Sequence, residues 1–179
     1  MLQGGNSLII NHHYGLQSQR YAIDIFKVAE NMGELKQWQI CDGDASFGQT
    51  VCSPCDGRVA YVEDDHPDNA KGETDWEHPA GNYLTIEIAT NRYAMLAHLK
   101  QKSLLVTPGE KVHSGQRLAL CGNSGNTSGP HVHMQIQTEP QFNFTEQAVP
   151  MCFQNLLRGN ALMENRQPMR NDLLILTGD

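Results

Sequence analysis

An all-β, antiparallel domain is the class this sequence predicts, on three observations. Short runs alternate apolar and polar side chains at residues 84–88, 93–99 and 132–136. Glycine falls between those runs, as in Pro108-Gly109-Glu110 and His113-Ser114-Gly115. Helical periodicity is poor by comparison.

Taken in order, Ile9-Ile10-Asn11-His12-His13-Tyr14 reads as a short strand and Gly15-Leu16-Gln17-Ser18 as a turn. Arg20-Tyr21-Ala22-Ile23-Asp24-Ile25-Phe26 follows as a second strand. Residues 62–82 read as a loop, acidic and turn-rich at its start, with nothing apolar recurring until Tyr83. A loop of that length inside a compact domain is more often functional than idle, and it is expected to wall a substrate groove. His66 and His78 lie within it. Residues 149–153 read as a late strand, and the tail as a polar turn followed by an added strand at Leu173-Leu174-Ile175-Leu176.

The chain has 179 residues, 39% hydrophobic and 18% charged, which suits one domain with a real core. No linker splits it, so a single domain over 1–179 is expected, with its core at about 6–155 and a C-terminal extension over 156–179 packed on it. A net charge of −7 leaves no basic surface for nucleic acid, so none is expected as a partner. No stretch reaches the roughly 18 apolar residues of a transmembrane segment. The first residues lack a basic and apolar signal peptide, which leaves a cytoplasmic protein or a signal absent from this chain. Oligomeric state is set by nothing in the composition. Five cysteines cannot all pair within the chain, and the lone C-x-x-C at Cys52 and Cys55 has no second pair to complete a four-sulfur zinc site.

The chemistry is concentrated in histidine. His131-Val132-His133 follows the glycine-rich Gly122-Asn123-Ser124-Gly125-Asn126-Thr127-Ser128-Gly129-Pro130. On a strand, positions i and i+2 share a face, so one imidazole can bind a metal while its neighbour faces the water or substrate beside it. The plain alternative is two polar residues on the solvent face of a strand. His98 sits in Met95-Leu96-Ala97-His98-Leu99, where parity puts it on the face of Leu96. Asp24, flanked by Ile23 and Ile25, is costly to bury unless neutralised. Arg20 as an ion pair or zinc as a ligand bond would each serve.

In order along the chain, these segments resemble the zinc metallopeptidases of the lysostaphin and LytM family (peptidase family M23). Val51-Cys52-Ser53-Pro54-Cys55-Asp56-Gly57-Arg58-Val59 is similar to the family's V-x-x-P-x-D-G-x-V strand and turn. Gly81-Asn82-Tyr83-Leu84-Thr85-Ile86 and Leu96-Ala97-His98-Leu99 resemble its next strands. Residues 106–116 resemble its hairpins, and Gly122-Asn123-Ser124-Gly125 with His131-Val132-His133 its last active-site strand. The resemblance implies the duplicated-hybrid-motif β fold of that family, with long loops walling a groove. It also implies a bound Zn2+, peptidoglycan stem peptides or cross-bridges as substrate, and a periplasmic or extracellular site of action.

One position departs from the family pattern. The first ligand there is a histidine four residues before the aspartate, and Arg20 stands at that place. Arginine cannot ligate zinc because it stays protonated. A catalytically inactive binding or regulatory module of the same type is therefore the alternative function. A hairpin centred on 15–18 would bring His13 beside Arg20, and a branch of the family written N-x-H before Q-R-Y-A-x-D matches Asn11-His12-His13 and Gln19–Asp24. On that basis the metal ligands are His13, Asp24 and His133, with His12 as the other candidate for the first. Three protein ligands leave a position for water, as catalytic zinc sites do. The resemblance then implies His131 as general base and His98 as the group that stabilises the tetrahedral intermediate or protonates the leaving group. A biotinyl- or lipoyl-type carrier, suggested by the glycine-turn hairpins, would leave the histidines unexplained.

Overall fold

Period-two alternation in the longest runs produces strands that pair antiparallel, one face apolar and the other mixed, with Tyr83, Met95 and Ala97 beside its polar residues. The computed structural model describes residues 4–27, 45–170 and 172. Its strands are β1 (Ile23–Ile25), β2 (Thr50–Cys52), β3 (Gly57–Glu63), β4 (Asn82–Ala89), β5 (Arg92–Leu99), β6 (Lys111–Val112), β7 (Arg117–Leu120), β8 (Val132–Gln137), β9 (Ala148–Val149), β10 (Phe153–Arg158) and β11 (Ala161–Arg166). Six pair in the order β1-β8-β5-β4-β3-β6, with β9 added on β8. Strands β2 and β7 form a separate ribbon, as do β10 and β11. Every pairing is antiparallel. The expected strand at 173–176 and Cys41 fall outside the described residues. The four described cysteines are free thiols, so Cys52 and Cys55 are not joined.

The two faces of the large sheet divide the labour. One carries Leu84, Ile86, Ala94, Leu96, Val132, Met134 and Ile136, which pack with Val51, Leu118 and Ala119 of the β2–β7 ribbon into the main core. Burial of that apolar surface is the chief stabilising term. The opposite face carries Asp24, His133, Gln135 and Gln137, all buried although polar. Buried polar groups need partners, and those partners define the site described below.

The first segment differs from the strand expected there. Residues His12–Gly15 form a 3-10 turn, not a strand, and Leu8 and Ile9 are exposed. The cause is Asn11. Its Oδ1 accepts from the His13 amide at 3.1 Å, and its Nδ2 donates to the carbonyls of Gly5 (3.0 Å) and Ala22 (3.1 Å). A side chain that satisfies three backbone groups outcompetes a two-strand ladder with no third strand to cover it. Asn11→Ala would leave those groups buried without partners. It is expected to cost about 1–3 kcal/mol in denaturant unfolding. A change within a few tenths of a kcal/mol would show that the turn holds itself.

Candidate metal centre and active site

Asp24 is paired across from His133 in the sheet, and Ala97 lies on the far side of His133. The small Ala97 side chain leaves room above β5. His13 reaches the same point from the 3-10 turn. Its Nε2 lies 3.0 Å from Asp24 Oδ1, while His133 Nδ1 lies 3.4 Å and His131 Nε2 3.5 Å from that same oxygen. Three imidazole nitrogens thus surround one carboxylate oxygen. His12 also comes close: one donor atom each from His12, His13 and Asp24 lie within 4.8 Å of one another. His12 is exposed, whereas His13, Asp24 and His133 are buried.

His98 joins the group by a route that strand parity does not foresee. Strand pairing runs from Leu84–Leu96 to Asn82–Leu99, so Ala97 and His98 together oppose Tyr83. This is a β-bulge, and His98 carries the positive φ of 61°. The extra residue moves His98 off the face of Leu96 and onto the polar face. Its ring centroid lies 4.7 Å from that of His131 and 5.8 Å from that of His133. The expectation that His98 shares the face of Leu96 is corrected accordingly.

Each ring is oriented through its outer nitrogen. His98 Nδ1 donates to the Ser124 carbonyl (2.8 Å), and His131 Nδ1 to the Gly129 carbonyl (2.8 Å). His13 Nδ1 faces Gln19 Oε1 at 3.0 Å. For His133 the anchor is a relay along β8. Gln137 Nε2 donates to the Glu139 carbonyl (2.8 Å) and Gln135 Nε2 to Gln137 Oε1 (2.7 Å), which presents Gln135 Oε1 to His133 Nε2 at 3.1 Å. A carbonyl can only accept, so each of these outer nitrogens carries the proton. In the neutral rings the nitrogens facing inward therefore hold lone pairs.

Electrostatics follow from this arrangement. Burial pushes the Asp24 carboxyl up, but the hydrogen bonds from His13, His131 and His133 more than offset it, leaving the group well below its ordinary range. His98 is held well below the usual histidine value by burial and by His131 and His133 beside it. His13 is lowered mainly by burial, against the pull of Asp24. For His131, burial lowers the pKa, yet the Asp24 carboxylate reverses the balance and raises it. Phe26 stacks on His131 at 5.1 Å and 17° and covers its outer face. Arg20 is not paired with Asp24. Its guanidinium carbon lies 5.3 Å from the Tyr14 ring centroid.

Two loops frame the polar face. In the 64–81 segment, Asp75 N donates to the Gly125 carbonyl (3.1 Å), and Asn126 N donates back to Pro79 O (2.9 Å). Gly81 and Gly125 meet where they cross, and a Cβ on Gly81 would sit 2.4 Å from the Ser124 carbonyl carbon. Only glycine permits so close an approach with φ of 57° at Gly81. The same loop supplies Ala80 O to His98 N and so reaches the site directly.

The structure brings together His13, Asp24, His98, His131 and His133. Sequence reasoning missed Gln135 and Gln137. Their signal was present: His133, Gln135 and Gln137 recur at period two on one strand face, and nothing polar belongs there without a purpose.

Residues 36–144, more than half of the chain, match Peptidase family M23, and the chain belongs to that family. The match includes His98, His131 and His133 but begins after His13 and Asp24. Among curated proteins, the peptidoglycan DD-endopeptidase ShyB of Vibrio cholerae serotype O1 is 36% identical over 91 residues, which is 50% of this chain and 18% of that protein. The peptidoglycan DD-endopeptidase ShyA of the same organism is 42% identical over 60 residues, or 33% of this chain and 14% of that protein. The chain thus spans less than a fifth of the length of these relatives. Among solved structures, the catalytic domain of the prophage-encoded M23 protein EnpA from Enterococcus faecalis aligns with a TM-score of 0.46 at 23% identity, covering 71% of this chain and 84% of that one.

Proposed function

We propose that the chain is a zinc-dependent metalloendopeptidase that hydrolyses peptide bonds of peptidoglycan stem peptides or cross-bridges. His13, Asp24 and His133 are the metal ligands in this reading, and His131 and His98 the catalytic residues. One observation carries it. His133 and His131 have their outer nitrogens committed as donors while their inner nitrogens converge on the Asp24 carboxylate, so positive charge, from a second ring proton or a bound cation, has to lie between them. Such a cluster suits a cation at its centre, and two imidazoles with a carboxylate are the donor set that suits zinc.

When bound, zinc supplies a Lewis acid for the scissile carbonyl and lowers the pKa of water. The chain's own residues do the rest. His131 Nε2 is the inward nitrogen free to take a proton from the attacking water, because Nδ1 is held by Gly129 O. Phe26 keeps bulk water from its outer face. His98, neutral by burial and by the neighbouring histidines, presents its inward nitrogen to the charge developing on the substrate or to the leaving amine. The substrate class comes from the names of the relatives, and with it an action at the cell wall, in the periplasm or outside the cell. No helix among the described residues is long and apolar enough to cross a membrane.

The test is release of peptides from purified peptidoglycan. Treatment with a chelator is expected to abolish release, and added zinc to restore it. Release that survives metal removal would overturn the zinc mechanism. Tight binding to peptidoglycan with no release at any zinc concentration would favour the inactive module suggested by Arg20.

A second expected result concerns the β8 relay. Gln135→Leu removes the acceptor for His133 Nε2 and frees the ring to take the wrong tautomer. Zinc affinity is expected to fall about 10–100-fold, the usual cost of losing a ligand's outer hydrogen bond. Gln135→Glu keeps an acceptor for His133 Nε2 but loses the donor to Gln137 Oε1, so a smaller fall than in Gln135→Leu is expected. Equal loss in both variants, measured by zinc titration, would assign Gln135 to packing instead.

A further inference from the structure

The loop wall contains a second cluster of donor side chains that the reaction does not use. His66, Asp75 and His78 each offer one donor atom, and these lie within 4.8 Å of one another. None belongs to the site built on Asp24. The cluster is assembled from two separate parts of the 64–81 segment, and both parts are held by backbone bonds.

The Asn82 side chain clamps His66 on both sides, accepting from its amide and donating to its carbonyl, each at 2.8 Å. Asp75 Oδ1 accepts from the amides of Glu77 (2.9 Å) and His78 (3.1 Å), which leaves Oδ2 turned towards His78 Nδ1 at 2.9 Å. The imidazoles of His66 and His78 lie 4.3 Å apart between centroids. Each imidazole in its neutral form offers one ring nitrogen as a metal donor. Glu63 stands by as another oxygen donor, with Oε1 3.8 Å from His66 Nε2 and Oε2 accepting from Tyr61 OH.

We infer that His66, Asp75 and His78 form a second divalent transition-metal site, of the zinc class, that braces the loop wall of the groove. Two imidazoles and a carboxylate select zinc-like ions over calcium or magnesium, which prefer all-oxygen sites. The approach to within 4.8 Å leaves small side-chain rotations to close a site with ligand bonds of about 2.0–2.2 Å. Because Asp75 N and Asn126 N tie this segment to the 122–130 loop, a bound cation fixes the wall against the loop that supplies Ser124 O to His98.

The metal-free 179-residue chain would be titrated with zinc against a chromophoric chelator. Two equivalents per chain are expected in the wild type, and one in His66→Ala/His78→Ala. One is also expected in His133→Ala, where the loop site alone remains. The same number in wild type and the double variant overturns the loop site. One equivalent that survives His133→Ala and disappears in the double variant supports it while removing the Asp24 centre. His78→Ala, at an exposed side chain, covers the case in which the double variant fails to fold. Trp76, 72% exposed, lies next to Asp75 and provides a readout without substitutions at the site. In Trp38→Phe/His133→Ala protein its fluorescence should be quenched by stoichiometric Co2+. An unchanged signal overturns the proposal.

Discussion

His131→Ala is expected to leave zinc bound at the Asp24 centre while lowering turnover by about 10²–10⁴-fold, the usual contribution of a positioned general base. The expectation rests on where the ring's two nitrogens go. Nδ1 is engaged by Gly129 O, and Nε2 faces inward, 3.5 Å from Asp24 Oδ1. The family resemblance assigns His13 and His133 to the metal and His131 to proton transfer. Measurement needs two numbers on the same preparation, zinc per chain and the rate of peptide release. Zinc lost together with activity would make His131 a ligand and overturn the division of roles.

The second large effect separates His13 from Arg20. His13→Ala removes a buried donor and leaves Asp24 and His133 facing each other across a gap, so one equivalent of zinc and all peptide release should be lost. Losing a direct ligand should exceed the about 10–100-fold penalty of an outer hydrogen bond. Arg20→Ala removes a side chain that faces Tyr14 and should leave the zinc content of the protein unchanged. If instead Arg20→Ala releases zinc and His13→Ala does not, the first ligand has been wrongly placed. His12→Ala is the informative control, since His12 also lies within donor range of His13 and Asp24. It should retain zinc.

Arg20 also bears on how much a family pattern conveys. Four residues of strand span about 13 Å, so histidine at position 20 and Asp24 could converge only across a turn. Here the turn is of another kind. The Asn11 side chain folds the chain into a 3-10 turn and delivers His13, so the histidine four residues before the aspartate is not needed to place an imidazole at 3.0 Å from Asp24. The resemblance to N-x-H before Q-R-Y-A-x-D pointed to that residue. The backbone geometry expected to deliver it, a hairpin, was the wrong one.

By itself the sequence determined the all-β class, because period-two alternation over 84–88, 93–99 and 132–136 allows only one face of each strand to be buried in apolar surroundings. It also drew attention to Asp24 and His98, ionisable side chains among apolar neighbours, and to His131 and His133 after a glycine-rich loop, while His13 came from the family resemblance. Only the tertiary structure decided how they meet. Parity sends His98 to the core face, and one extra residue opposite Tyr83 reverses it. No local rule announces where a bulge will form, because its cost is met by contacts far away in the chain. The relay from His133 through Gln135 and Gln137 to Glu139 O is likewise invisible as energy until the strands that bury it are in place. Alternation is a property of neighbours in the chain, whereas convergence on one oxygen of Asp24 belongs to residues 11 to 109 positions apart.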